Sequence, residues 1–260
     1  MEVHILASGS KGNCTLISTK KHKILIDIGM NLKYIEEKLA EVNVNPADIE
    51  AILISHVHDD HISALKQFVK KYSPIVYMSA IMFKELPSIK GYDHIMIYDD
   101  NILLEDLKIN TIKTSHDTKD SRAFIVTGEE TSVVYMTDTG YINSRYFEVL
   151  KDKTIYLMES NYDVKTLMNG RYPSWLKARV YSSKGHLSNI DASVYLTKLV
   201  GKNTEKIVLM HLSENNNTEE LALTTIRETF ELHSIKFKNF ACAKQKESLK
   251  VKWKKKLPSI

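Results

Sequence analysis

The chain has 260 residues, of which 43% are hydrophobic and 26% charged, with a formal net charge of +4. This composition is ordinary for a globular protein and excludes a collagen-like chain, a long coiled coil and wholesale disorder. No apolar run approaches the roughly 20 residues of a membrane helix. MEVHILASGSKGN (1–13) lacks the basic region of a signal peptide, and the two cysteines, Cys14 and Cys242, form no CxxC pair. A soluble protein of the reducing cytoplasm, not bound to membrane, is therefore expected.

In chain order, VHILA (3–7), CTLIS (14–18), KILIDIG (23–29) and AILIS (51–55) are short apolar runs bounded by Gly, Ser, Asn or Lys, and they predict strands. NLKYIEEKLAEVNV (31–44) has helical spacing, with Asn31 placed to cap it and Pro46 beyond its end. A second helix is predicted over 61–72. Strands follow at 75–78, 94–98, 107–114, 122–127 and 132–137, with a hairpin tip at GEE (128–130). TIYLME (154–159) and KIVLM (206–210) suit buried strands. Helices are predicted over 143–150, 189–200 and 217–232, the last opening on Asn217 and Glu220 as a capping pair. Strands interspersed with helices indicate α/β or α+β layers. No linker interrupts them, so one domain over 1–260 is expected.

The charge is uneven. Residues 244–260 carry seven lysines and one glutamate, which is +6 and leaves −2 on the rest. In SLKVKWK (248–254), Leu249, Val251 and Trp253 alternate with lysines. This fits an edge strand protected by its charges, or a patch that attracts phosphates. RYPSWLKARVYSS (171–183) interleaves Arg171, Lys177 and Arg179 with Tyr172, Trp175 and Tyr181. It suits either stacking on unpaired bases or a helix with one buried face.

SHVHDDHIS (55–63) places three imidazoles and two carboxylates in six residues, directly after a predicted strand. In extended chain, residues two apart point the same way, so His56 and His58 can converge on one cation. Asp60 and His61 lie where the chain turns into the next helix and can serve a second. A polar helix start capped by Asp59 or Asp60 explains the carboxylates but not the histidines. Imidazole and carboxylate suit zinc, manganese or iron.

His56-Val57-His58-Asp59-Asp60-His61 resembles the HxHxDH signature of the metallo-β-lactamase fold. His116 in TSHDT, Asp138 in TDTG and His211 in LMHLS follow in that family's order, and Asp27 in LIDIG precedes them. The resemblance implies an αββα sandwich, two mixed sheets with helices on the outer faces. It also implies two divalent ions: one held by His56, His58 and His116, the other by Asp60, His61 and His211, with Asp138 bridging. Asp27 would orient the ligands from behind. Asp59 falls at the variable position, with a capping or supporting role expected. Such an ion pair lowers the pKa of a bridging water and clamps the oxygens of a displacement, and Asp60 would orient the hydroxide.

MESNYD (158–163) and SSKGHLSN (182–189) resemble motifs of the nuclease branch of that fold, seen in ribonuclease J. Glu159 would be its acidic residue and His186 the histidine that contacts the scissile phosphate and protonates the leaving oxygen. Ser183 and Ser188 flank His186 and are placed to donate to phosphate oxygens. Asn189 is an alternative helix cap. Only a short segment separates the two motifs, so the large inserted domain of those nucleases cannot be present. The compact YycJ/WalJ family is the closer likeness, through SGSKGN (8–13), HVHDDH (56–61), GHLSN (185–189) and HLS (211–213). That likeness implies a 5′→3′ exonuclease on nucleic acid, DNA ahead of RNA. The alternatives are a small-molecule hydrolase of the same fold, cleaving a thioester, lactone or cyclic nucleotide, and a catalytically silent metal-binding module. In ASGSKGN (7–13) the glycines, with Ser10 and Asn13, suit a phosphate cradle or a plain turn. The sequence leaves oligomeric state open.

Overall fold

A computed structural model describes residues 1–253. The early apolar runs form β1 (Glu2–Ala7), β2 (Cys14–Ser18), β3 (Lys23–Ile26), β4 (Ala51–Leu53), β5 (Ile75–Met78) and β6 (Ile95–Ile97). The later ones form β7 (Asn101–Leu103), β8 (Lys108–Lys113), β9 (Arg122–Thr127), β10 (Ser132–Met136), β11 (Ile155–Glu159), β12 (Lys206–Met210) and β13 (Phe240–Cys242). β14 (Leu249–Val251) then returns to the first group. Two seven-stranded sheets result, in the orders β14-β1-β2-β3-β4-β5-β6 and β13-β12-β11-β10-β9-β8-β7. Each is mixed: β3 to β6 and β10 to β13 pair in parallel, and the remaining pairs are antiparallel.

Both faces of each sheet are covered, which explains why the strands are apolar along their length rather than alternating with polar residues. Ile24, Ile26 and Leu53 of the first sheet meet Val133, Tyr135, Leu157 and Met210 of the second in a shared inner core. Leu25 and Ile52 face outward onto α1 (Leu32–Glu41) and α3 (Leu65–Tyr72). Val134, Tyr156, Ile207 and Leu209 face outward onto α8 (Asn189–Leu199) and α9 (Glu219–Leu232). The layers are α/β/β/α, as the resemblance implied.

Several local expectations are corrected. The helix expected over 61–72 is two helices, α2 (Asp59–Ile62) and α3, because Ala64 N–H donates to Ile28 O at 3.0 Å and ties the chain back to the end of β3. β3 stops at Ile26 because Asp27 turns left-handed, with φ 59°. Ser188, not Asn189, caps α8, and Thr218, not Asn217, caps α9. The segment at 143–150 begins as a 3-10 turn (Ser144–Tyr146) before α5 (Phe147–Leu150). Helices α4 (Ala80–Glu85) and α6 (Val164–Asn169), and strands β7 and β13, carried no periodicity long enough to predict them. α7 is Ser174–Tyr181.

β14 is an edge strand, as the alternating lysines suggested. Lys250 Nζ lies 3.2 Å from Glu2 Oε2, and Trp253 packs on the inner core. The lysines at 254–256 lie outside the described residues.

The parallel strands set the site. His56 follows β4 within three residues, while Asp27, Asp138 and His211 follow β3, β10 and β12, and Glu159 ends β11. All lie at the carboxyl ends of parallel strands, where loops converge over an α/β sheet. Gly29 lets two of these loops touch: a Cβ there would stand 1.6 Å from the Asp60 carbonyl oxygen. Gly29→Ala is expected to lower unfolding stability by roughly 1–3 kcal/mol by overpacking. A shift in urea midpoint at unchanged slope would show it.

Candidate metal centre

Three non-glycine residues at strand ends hold left-handed backbone: Asp27 (φ 59°), Asp138 (φ 57°) and His211 (φ 56°). Asp and His tolerate this region better than most side chains. The turn aims each side chain into the gap between the sheets, where all three are at most 2% exposed.

His56, His58 and His116 converge. His56 Nε2 is 3.1 Å from His58 Nδ1, which is 3.2 Å from His116 Nε2. A tetrahedral ion with bonds of about 2.0–2.1 Å holds its nitrogens about 3.3 Å apart, so the spacing suits one cation. His116 Nδ1 donates to Gly185 O at 3.1 Å, which directs Nε2 into the cluster.

Asp60, His61 and His211 form a second group, with Asp60 Oδ2 at 3.6 Å from His61 Nε2 and 3.5 Å from His211 Nε2. Asp138 stands between the groups. Its Oδ2 lies 3.1 Å from His61 Nε2, and its Oδ1 lies 3.8 Å from His116 Nε2 and 3.4 Å from His211 Nδ1. Asp138 Oδ2 and His211 Nε2 are buried and make no well-aligned hydrogen bond. Buried polar atoms of that kind are rare, and two in one cluster of imidazoles and carboxylates fit divalent cations.

The charges fit as well. Burial pushes the Asp138 carboxyl up, but His211 and His61 outweigh it and hold the group well below the usual carboxylate range. Burial pulls His211 down, yet Asp138, Asp60 and Glu159 carry it up to about 10. Burial likewise opposes the rise of His61, which Asp27 and Asp138 drive well above the ordinary imidazole value. Protons on His61 and His211 thus balance the carboxylates, a task that a divalent cation takes over when it binds. Burial, aided by His61, keeps His56 neutral with a lone pair to offer.

Asp27 lies behind the cluster. It is fully buried and accepts from His61 Nδ1 at 2.8 Å, from Ser55 N at 2.8 Å and Oγ at 2.7 Å, and from Tyr135 OH at 3.0 Å. Its bond to Nδ1 turns His61 Nε2 toward Asp138.

His186 stands beside the cluster, its side chain 19% exposed, with Nδ1 2.7 Å from Glu159 Oε1. Glu159 also meets His211 Nδ1 at 3.0 Å through Oε1, and its Oε2 accepts from Thr139 N and Leu187 N. Burial would raise its carboxyl, but His186 and His211 bring it down to about 2. Glu159, expected as catalytic, is fully buried with both oxygens engaged, one of them on His186 Nδ1.

The proposed phosphate donors fare differently. Ser188 is fully buried, and its Oγ caps α8 and donates to Asp191 Oδ2 at 2.6 Å, so it is unavailable. Asn13 is also fully buried, and its amide meets Gly9 N and O and His61 Nε2. Most amides of the 8–13 loop are already bonded, which leaves little of a phosphate cradle: Ser8 N to Lys244 O, Gly9 N to Asn13 Oδ1, Lys11 N to Gln245 Oε1, Gly12 N to Gly9 O and Asn13 N to Asp60 O. Ser10 is exposed on that loop, and Lys11 pairs with Glu214. Ser183 is exposed and accepts through its carbonyl from Ser115 Oγ at 2.7 Å. Asp59 is exposed in the first turn of α2, which has no side-chain cap.

Sequence reasoning missed Ser55, Tyr135, Asn161, Asn217 and Asp117. Asn161 Nδ2 donates to His211 O at 2.7 Å, and Asn217 links Ser160, Asn161 and Asn189 in a buried network. Asp117 Oδ1 lies 3.4 Å from His116 Nε2. Asp117 was the one with a signal, since TSHDT puts it next to His116.

Residues 7–211 match the metallo-beta-lactamase superfamily. The chain is 36% identical over 229 residues, 85% of each chain, to the exodeoxyribonuclease WalJ of Streptococcus pneumoniae. It is 33% identical over 234 residues to the exodeoxyribonuclease YycJ of Bacillus anthracis, covering 87% of this chain and 88% of that one. In three dimensions it resembles the metallo-beta-lactamase fold protein YhfI of Bacillus subtilis, with TM-score 0.73 and 16% identity over 96% of this chain and 98% of that one. That likeness concerns the fold alone.

Two outcomes follow from the geometry. Because His211 holds its proton up to about pH 10 in the metal-free protein, divalent cations should release protons on binding and bind more tightly as pH rises toward that value. Calorimetry in buffers of different ionisation enthalpy measures the release, and buffer-independent heats would contradict it. Asp27→Asn is expected to weaken metal affinity about 10–100-fold, read by competition with a chelating dye.

Proposed function

The chain belongs to the metallo-beta-lactamase superfamily, and from that footing we infer that it is a divalent-metal-dependent phosphodiesterase that degrades nucleic acid, DNA ahead of RNA, as a 5′→3′ exonuclease. The observation that carries this reading is His186: a half-buried imidazole fixed at 2.7 Å on buried Glu159, 3.5 Å from Asp138 Oδ1. Hydrolysis of a phosphodiester needs a proton for its leaving oxygen, and a side chain positioned to give it is worth a rate factor of about 10²–10⁴. The exodeoxyribonuclease names of the two relatives agree with that reading.

His56, His58 and His116 would hold one ion; Asp60, His61 and His211 would hold the other, with Asp138 shared. Zinc, manganese or iron would suit these donors. When bound, the ions supply Lewis-acid polarisation and a nucleophile available at neutral pH. The chain's own groups do the rest. Asp60, 23% exposed at its side chain, is the carboxylate of the cluster open to solvent, and it accepts a hydrogen bond from the nucleophile. Glu159 holds His186 Nδ1, which leaves Nε2 to carry the proton. His186 then delivers it to the oxygen that departs.

Purified protein supplied with Mn²⁺ or Zn²⁺ should hydrolyse bis(p-nitrophenyl) phosphate, release the label of 5′-labelled DNA in small fragments and shorten 3′-labelled DNA. Thioester or lactone turnover without DNA degradation would overturn the reading in favour of a small-molecule hydrolase. His186→Ala should keep its metal, measured by elemental analysis, and lose on the order of 10²–10⁴ in DNA cleavage. Undiminished cleavage removes His186 from the mechanism.

A further inference from the structure

We propose that the outward face of α7 is a platform for an unpaired nucleic-acid strand, with Trp175 stacking on a base and Arg179 holding an adjacent phosphate; this rests on the phosphodiesterase reading of the neighbouring centre.

The helix has an inward side and an outward side. Leu176 and Val180, with Tyr172 just before the helix, pack on Tyr162, Val164 and Leu167 in a small satellite core. The buried face that the sequence allowed therefore exists, but Trp175 is not in it. The indole is 67% exposed. The other tryptophan, Trp253, packs on the inner core. An indole left in water contributes nothing to the fold that a smaller or polar side chain would not.

Position links Trp175 to the centre. Residues four apart on a helix share a face, so Trp175 and Arg179 lie on one side, one turn of about 5.4 Å apart. Arg179 Nε is 2.5 Å from Asp117 Oδ2, and Asp117 Oδ1 lies 3.4 Å from His116 Nε2 and 3.8 Å from His58 Nε2. The ion pair uses Nε, so both terminal nitrogens of the guanidinium remain as phosphate donors. Lys177, the other cation of the helix, donates to Met168 O at 2.6 Å on a different side. The C-terminal end of α7 is fastened to the loop carrying His186: His186 N–H donates to Val180 O at 3.0 Å, and a Cβ on Gly185 would stand 2.1 Å from the same oxygen. The backbone that carries the indole and the guanidinium is therefore joined directly to the loop of His186.

That arrangement suits one class of ligand. Stacking requires the flat face of a base, which a duplex keeps inside its stack and an unpaired end or single strand exposes. A guanidinium one turn along suits the phosphate that joins such bases.

The test is an anisotropy titration of the full chain, metal removed to prevent cleavage, with a 5′-labelled single-stranded oligonucleotide and with the matching blunt duplex. Trp175→Ala should weaken single-strand binding about tenfold and duplex binding much less, and Trp175→Phe should recover most of the loss. Oligonucleotide should quench tryptophan emission in the wild type but not in Trp175→Phe. Circular dichroism verifies folding. Single-strand binding by Trp175→Ala equal to wild type, or equal weakening for strand and duplex, overturns the platform. Wild-type hydrolysis of bis(p-nitrophenyl) phosphate separates the two readings. Hydrolysis with no Trp175 effect sinks the platform alone, and its absence sinks the phosphodiesterase reading while the titration still decides the platform.

Discussion

One buried carboxylate joins the two halves of this molecule. Asp27 sits at the end of the first sheet, fully buried, and accepts from Tyr135 on the second sheet, from Ser55 beyond β4 and from His61 in the candidate metal cluster. An ionised carboxylate in such a place is tolerable only if its lone pairs are satisfied, and here main chain, hydroxyls and imidazole satisfy them together. The same bonds fix the separation of the sheets and the orientation of a candidate ligand. Sheet packing and cluster geometry are therefore parts of one constraint, and a disturbance of either is transmitted to the other.

A second carboxylate repeats the device at the far side of the cluster. Glu159 takes Nδ1 of both His186 and His211 and two backbone amides. Its depressed pKa keeps it ionised, so it holds both rings in one orientation throughout the physiological range. Asp27 and Glu159 thus frame the histidines from behind while Asp138 and Asp60 meet them in front. The centre is a layered arrangement of imidazoles between anions, and its geometry is held by the hydrogen bonds of Asp27 and Glu159.

Much of this was legible in the sequence, for reasons that can be stated. Short apolar runs in alternation with helices indicate α/β or α+β layers, the resemblance supplied the αββα sandwich, and the histidines announced themselves through density and through their place after strands. Asp27 was visible only by resemblance. What failed was information that lives in three dimensions. Ser188 and Asn13 have the chemistry to bind phosphate, but their bonds go to Asp191 and to the 8–13 loop. Asn217 has the chemistry of a helix cap, but it is drawn into a buried amide network and Thr218 takes the cap. Tyr135 looked like one more apolar strand residue, because nothing in its neighbourhood along the chain reveals that its hydroxyl meets a carboxylate 108 positions away.

The loop at 8–13 is fastened by Gln245, which accepts from Lys11 N and donates to Gly12 O across 234 and 233 positions of chain. β14 then closes the sheet against β1. A ribosome makes these partners in the order of the message, so the loop waits, unpinned, while almost the whole polypeptide emerges. The clasp of Gln245 on this loop therefore cannot form until translation has passed residue 245.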